Sequence, residues 1–536
     1  MFWFLIKSCF ITSFCLGLNA TSGGVLSKNQ AYMNVHHYDL RLDLDTEKKI
    51  IGGNVKITFS LKKSPRKLEF DLLNTYRVSN TLVNNKPMVF YQRGNKLYIE
   101  HGGLANKNQH EVKITYLGKP PVAVNPPWEG GITWSNCEYG YPWVAISCQK
   151  NGAHIWYPCK EHPSDKADSV DIYVTVPKPL KVASNGTLQG VIDKSHYKQT
   201  WHWKTSYPIS PYNVNFTVGN FEVISKRAVV MNDPLYIEYF VLPESRKGAD
   251  GLLEKAEKYL TFYSETFGPY PWQKEKLGLV ETPYWGMEHQ TIIAYGNKYQ
   301  NTILGYDFLL FHEMGHEWWG NYLSVSDWAD FWIHEGFVTY SEALYIEKEF
   351  GLGAYHTFIK NRCKENIKND IPIVNDRPTK MDYYKDNDVY YKGAFVLHML
   401  RYLLGDDLMK RSLKEFLRTP KEKPNNQTTT KEFMSFLENN SGIELDLFFK
   451  QYVYGKEYPT LNMREKIYHN GKKKFIELWW SETGFELPVE VRYQGNFALE
   501  TVSVIVTEKI SGISIPATSN PQIDPNNWLL FNTKIH

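Results

Sequence analysis

The sequence is short of the features that would mark it as anything but a globular, water-facing chain. Neither sign of charge is in excess: 61 Lys and Arg stand against 58 Asp and Glu, a net +3 over 536 residues. That balance gives no basis for binding nucleic acid or an anionic surface. Past the first twenty residues no apolar run is long enough to span a bilayer. No Pro/Gly/Ser-rich or low-complexity linker interrupts the chain, which argues for domains packed on one another rather than tethered. Cysteine is scarce, at six residues, and none has metal-site spacing with a histidine.

The N-terminus is the one apolar exception. Residues 1–18 carry a single base, Lys7, within FWFLI…CFITSFCLGL, and small or polar residues follow from Asn19 to Gly24. This pattern fits a signal peptide over 1–20, cleaved near Ala20, so the expectation is an exported protein, periplasmic or secreted, with no transmembrane span once mature. Cleavage removes Cys9 and Cys15. Of the four left, Cys137, Cys148 and Cys159 could supply one disulfide outside the cytoplasm.

What is present divides the mature chain into three textures. Residues 27–226 alternate polar and apolar positions or are rich in β-branched residues, as in HYDLRLDLD, GGNVKITFSL and SVDIYVTVP, with Gly, Pro and Asn between; this predicts a large β domain. Residues 227–456 turn helical. GLLEKAEKYLTFYSETF, 251–267, has an apolar stripe of helical period and stops at Gly268-Pro269. Further helices are expected over about 307–320, with Asp307 as cap, and about 329–350. Residues 457–536 return to strands (KKFIELWWSE, LPVEVRYQ, TVSVIVTEK) and read as a small β domain.

The chemistry lies in the helical part. His312 and His316 stand four apart within HEMGH, so on a helix they share one face and can each give a nitrogen to one metal ion. Glu313 is placed to take a proton from an attacking water without being a ligand. Glu335, nineteen positions after His316 on the next helix, can close a His₂Glu set with an open position. Other third ligands fit less well. Tyr322 occupies the position of a metzincin histidine, and His334 points about 100° away from Glu335. Glu342 returns to the face of Glu335 and could orient a ligating histidine.

HEMGH, eighteen intervening residues and Glu335 resemble the gluzincin aminopeptidases of the aminopeptidase N family. Further stretches agree in order: WIHEGFVTYSE around Glu335, Trp285-Gly-Met-Glu-His289 against the family's G-x-M-E-N, Val389-Tyr-Tyr-Lys-Gly393 against its V-Y-x-K-G, and Tyr157-Pro-Cys-Lys-Glu-His-Pro163, with Gln149 nine residues before Pro158. The resemblance covers most of the mature chain. It implies a multidomain α+β architecture: a saddle-like N-terminal β domain, a thermolysin-like α-rich catalytic domain and a small C-terminal β-sandwich. It implies one Zn²⁺ per chain on His312, His316 and Glu335, with Glu313 as general base and acid and Tyr390 stabilising the oxyanion. It implies that Glu288, assisted by Gln149, holds the free α-ammonium of a peptide substrate, while the backbone of Gly286 and Met287 pairs with it as a strand.

The implied function is release of N-terminal amino acids from peptides with a free N-terminus. The alternatives are an endopeptidase or epoxide-hydrolase-type gluzincin, or a non-catalytic binding protein on this fold; Glu288 argues against an endopeptidase, and retention of both histidines, Glu313 and Glu335 argues against loss of catalysis. Trp285 and His289 replace the family's glycine and asparagine and bear on the first side-chain pocket. Larger members continue into a helical domain that covers the active site, so this sequence is expected to be a short form with a more open cleft.

Overall fold

The computed structural model describes residues 20–105, 109–421, 425–467 and 471–536. The expected signal peptide falls on 1–20 and lies, but for Ala20, outside them.

The alternating N-terminal stretches form strands. Met33–Asp45 pairs antiparallel with Ile50–Leu61 and parallel with Ser169–Pro177, at the centre of an eight-stranded sheet. Inward residues such as Val35, Leu40, Leu42 and Leu44 are buried while their neighbours face outward, the two-residue period of a one-sided strand. A four-stranded sheet, in the order Lys181–Ser184, Phe216–Gly219, Pro142–Ser147 and Gly131–Asn136, lies beside it. Its strand Pro142–Ser147 runs out at Cys148 and delivers Gln149 to the seam with the next domain.

The helical part opens with a sheet. Glu222–Val230 pairs with Asp233–Val241, followed in space by Lys276–Glu281, Ile293–Tyr295 and Gly286–Met287. Five of the helices in this part are α1 (Ala249–Phe267), α2 (Phe308–Gly315), α3 (Trp332–Phe350), α4 (Leu352–Phe358) and α5 (Asp388–Leu404). In α1, Leu252, Leu253, Ala256, Tyr259, Leu260 and Tyr263 form the buried stripe. Asp307 caps α2 as expected, its carboxylate accepting from Leu310 N at 3.2 Å. The helix ends at Gly315 rather than near Gly320. The chain folds back there, with Asn321 N donating to His316 O at 2.9 Å and Gly320 at φ +127°, a conformation that glycine adopts without strain.

The C-terminal strands make two sheets, one of Ser511–Pro516, Lys473–Trp480, Thr460–Ile467 and Asn532–Ile535, the other of Leu499–Val506, Leu487–Gln494 and Gln522–Ile523. They are docked on the helices rather than tethered. Trp528 stacks on His398 (4.5 Å) and on Tyr402 (4.9 Å) of α5, and Lys364 Nζ donates to Asn527 Oδ1 and Leu529 O, both at 3.1 Å. The result is the multidomain α+β architecture expected, with β-rich parts on either side of an α-rich one.

No disulfide forms among Cys137, Cys148 and Cys159. These three and Cys363 are free and buried. The Cys148 thiol donates to Tyr212 O at 3.4 Å and the Cys159 thiol to Glu161 Oε2 at 3.7 Å, so both are spent as small core donors. Among the described residues no helix is long and apolar enough to cross a membrane.

Candidate metal centre and peptide site

α2 and α3 place His312, His316 and Glu335 together. The two Nε2 atoms are 3.2 Å apart, and each is 3.4 Å from Glu335 Oε2. Three donors bonded at about 2.0–2.1 Å to one tetrahedral ion stand about 3.3–3.4 Å from one another, so the triangle has the size that such an ion requires. Glu335 Oε2 is buried and accepts no hydrogen bond. An unpartnered buried carboxylate oxygen is costly, and a cation satisfies it. His316 is oriented by its other nitrogen, which faces Trp319 O at 2.9 Å, the arrangement that leaves Nε2 free to ligate. His312 Nδ1 has no such partner. Glu342 does not supply one: its carboxylate accepts from Tyr306 OH instead, because α3 turns it toward the loop that precedes Asp307. His334 faces away, accepting from Val325 N at 3.1 Å, and burial lowers it to about 3, so it is neutral.

The surroundings are anionic. Donor atoms of Glu288, Glu313 and His316 also lie within 4.8 Å of one another, so three carboxylates face two imidazoles. Burial, with Glu288 and Glu335 close by, raises Glu313 well above the usual carboxylate range, although His316 opposes it. Glu335 is the exception: against its burial, His316 and His312 hold it well below that range. A divalent cation offsets the excess negative charge.

Glu288 follows the short strand Gly286–Met287. Its Oε1 accepts from Gln149 Nε2, which arrives from the N-terminal β domain, and from Tyr212 OH at 3.1 Å. Its backbone carbonyl accepts from Asn321 Nδ2 at 2.9 Å, and Asn321 is held in turn by Glu317 and Asn213. Tyr212, Asn213 and Asn321 carry no motif and were not anticipated. Gly286 lies close to the cluster: a Cβ there would stand 2.7 Å from Glu313 Oε1 and 2.6 Å from Leu309 Cδ1, so a larger residue would displace those side chains.

Tyr390 is brought to the cluster by α5, its ring 6.0 Å from that of His312 and roughly parallel to it. Burial, reinforced by Glu335, Glu288 and Glu313, keeps its phenol protonated well above the ordinary range. Tyr384 is committed elsewhere, donating to Trp328 O at 2.8 Å. The two departures at the strand separate. Trp285 lines the cavity and contacts Trp128 and Phe308, whereas His289 turns into the core beside Asn215. All nine anticipated site residues therefore meet on the lining of one cavity of about 360 Å³.

Such a site, between a β-rich domain and a helical one, defines a metallopeptidase-like scaffold. The comparisons give its family. Residues 252–452 match the model of the peptidase family M1 domain and residues 34–213 that of the peptidase M1 N-terminal domain. Together they span more than half of the chain, which belongs to the aminopeptidase N-like M1 family. Among curated relatives, "Probable aminopeptidase 1" of Saccharolobus solfataricus is 24% identical over 454 residues, 80% of this chain and 54% of that protein. Human "Endoplasmic reticulum aminopeptidase 1" is 24% identical over 291 residues, 50% of this chain and 30% of that one. The chain thus spans about half the length, or less, of the curated relatives it matches. An M1 zinc metallopeptidase from Deinococcus radiodurans has the same fold over 80% of this chain and 94% of its own, at TM-score 0.67 and 23% identity. Legionella pneumophila aminopeptidase A superposes over 94% of this chain and 60% of its own, at TM-score 0.79 and 15% identity.

Proposed function

We propose that this chain is a zinc-dependent aminopeptidase, removing single residues from the free N-terminus of peptides. The observation that carries the proposal is the position of Glu288, whose carboxylate, held by Gln149 and Tyr212, lies beside Glu313 and His316. The names of the M1 relatives support it.

His312, His316 and Glu335 would hold the zinc ion, which supplies Lewis acidity toward the scissile carbonyl and makes water acidic enough to deprotonate near neutrality. Glu313, raised in basicity by burial, takes the proton from the attacking water and delivers it to the leaving amine. Tyr390 keeps its proton and donates a hydrogen bond to the oxyanion. Glu288 binds the α-ammonium with Gln149 and Tyr212 fixing its carboxylate, which sets the scissile bond one residue in. A blocked N-terminus leaves Glu288 buried and unpaired, a strong penalty against such substrates. The backbone of Gly286 and Met287 offers a strand edge to the substrate. Export to the periplasm or medium rests on residues 1–20 and is part of the same proposal.

The test compares alanine p-nitroanilide with its N-acetylated form, with and without chelator. Hydrolysis of the free-amino substrate alone, abolished by chelator and restored by zinc, is expected. Equal hydrolysis of both forms would overturn the exopeptidase reading, and activity after complete metal removal would overturn the metal reading.

A further inference from the structure

The cavity holds a cation that the proposed chemistry does not use. After α4 the chain makes a π-helical segment, Ile359–Cys363, a rare geometry that recurs at functional sites. It turns Arg362 into the cavity wall and buries Cys363 behind it. The Arg362 guanidinium rests against two rings, with Cζ 5.4 Å from the centroid of Phe308 and 5.1 Å from that of Tyr391. It forms no ion pair or side-chain hydrogen bond with any described residue. The next residue but one, Lys364, is anchored to Asn527 and Leu529 of the C-terminal domain, so the segment is held from behind. A guanidinium stacked between rings is fixed in orientation and keeps its N–H groups available for a planar anion.

Its distance from the metal centre suits a short peptide. Phe308 in turn contacts the His312 ring, tilted 36° to it, with centroids 5.6 Å apart. The guanidinium carbon, 5.4 Å from Phe308, is therefore at most about 11 Å from the His312 ring. Two residues beyond the scissile bond cover about 7 Å, and a charge-assisted hydrogen bond adds about 2.8 Å. Glu288, which takes the ammonium, and Arg362 thus put opposite charges on one cavity, matching the dipolar ends of a short peptide.

We propose that Arg362 is a specificity-determining residue that binds a substrate carboxylate, so that di- and tripeptides with a free C-terminus are preferred. The proposal rests on the aminopeptidase reading above. A carboxylate could come from the C-terminus or from an acidic side chain after the scissile bond. The experiment therefore uses trialanine, trialanine amide and Ala-Asp-Ala amide, with full-length wild type, Arg362→Gln and Arg362→Lys. Wild type is expected to favour trialanine over its amide by about ten- to hundredfold in kcat/KM, mainly through KM. The ratio should fall to near one in Arg362→Gln and to an intermediate value in Arg362→Lys. A gain by Ala-Asp-Ala amide instead, equally dependent on Arg362, assigns the site to acidic side chains. Equal rates on all three peptides in wild type, or a preference that persists in Arg362→Gln and so belongs to another cation on the cavity lining, Lys150 or Lys385, would overturn the proposal. Failure of wild type to cleave alanine p-nitroanilide would count against the aminopeptidase reading instead. Thermal unfolding of both variants separates loss of recognition from loss of fold.

Discussion

Gly336 and Gly393 touch: a Cβ on Gly336 would stand 2.9 Å from Gly393 Cα. This is where α3 and α5 cross, one residue after Glu335 and three after Tyr390. The contact lets the two helices approach closely enough to bring Glu335 and Tyr390, the proposed metal ligand and oxyanion donor, to one cavity. Gly336→Ala should cost about 1–3 kcal/mol through overpacking. It should also lower kcat more than it raises KM, since it moves Tyr390 relative to Glu335. Thermal unfolding and steady-state kinetics on one preparation read both, and a stable variant with unaltered kcat would contradict this account of the crossing.

Tyr212 donates to the Glu288 carboxylate, the proposed site of the substrate ammonium. Tyr212→Phe removes that bond at about 1–2 kcal/mol, so KM for free-amino substrates should rise roughly five- to thirtyfold with kcat nearly preserved. Glu288→Gln should lose far more, and should narrow the gap between free and acetylated substrates.

Glu313→Gln should retain the metal, because the proposed donors are His312, His316 and Glu335, and should lose most of its turnover. Metal content by atomic emission and single-turnover assays check the two halves. Metal removal should lower the unfolding temperature of wild type, since ions that bind only the native state stabilise it.

Burial pushes Glu161 up to about 7; Ser22 and Ala153 oppose this by hydrogen bonds, and Asp71 adds to it. The folded state therefore holds this proton more tightly than the unfolded one. Its contribution to stability is complete below about pH 4.5 and is lost as pH rises through 7, a difference on the order of 3 kcal/mol. Glu161→Gln should flatten this part of the profile, and melting curves from pH 5 to 8 of wild type against variant provide the measurement. Parallel profiles would refute the assignment.

Ser22 sits in the seam between the two larger domains. Its hydroxyl donates to Glu161 at 2.7 Å and accepts from Trp328 Nε1 at 2.9 Å, and its N–H and C=O bond Lys150 O and Met381 N. Ser22→Ala should destabilise by about 1–3 kcal/mol. Removal of residues 1–20 alone should leave this clasp intact, and removal of residues through Gly24 should lower the unfolding temperature further.

The local rules carried far in this chain. The two-residue alternation located the β-rich segments, and Asp307 marked the start of α2, because these signals depend on neighbours in sequence. The HExxH spacing sets two imidazoles on one helical face whatever surrounds them. The end of α2 was less legible: Gly315 to Gly320 retains helical composition, but the fold-back is closed by Asn321 and by what Glu317 meets, Trp272 and Thr291, which are distant in sequence. The roles of Glu342 and His289 were not legible either, because each depends on which partner, Tyr306 or Asn215, the packing brings near.

The sequence by itself determined the grouping of His312, His316 and Glu335 with Glu313 beside them, and the strand, helix, strand order of the chain, since each follows from residue type and short spacing. Only the tertiary structure decided that Gln149 and Tyr212 would converge on Glu288, that the cysteines would stay apart, and that Arg362 and Glu288 would line one cavity. Those relationships join residues tens to hundreds of positions apart, and their geometry is set by how sheets and helices pack, which no local pattern encodes.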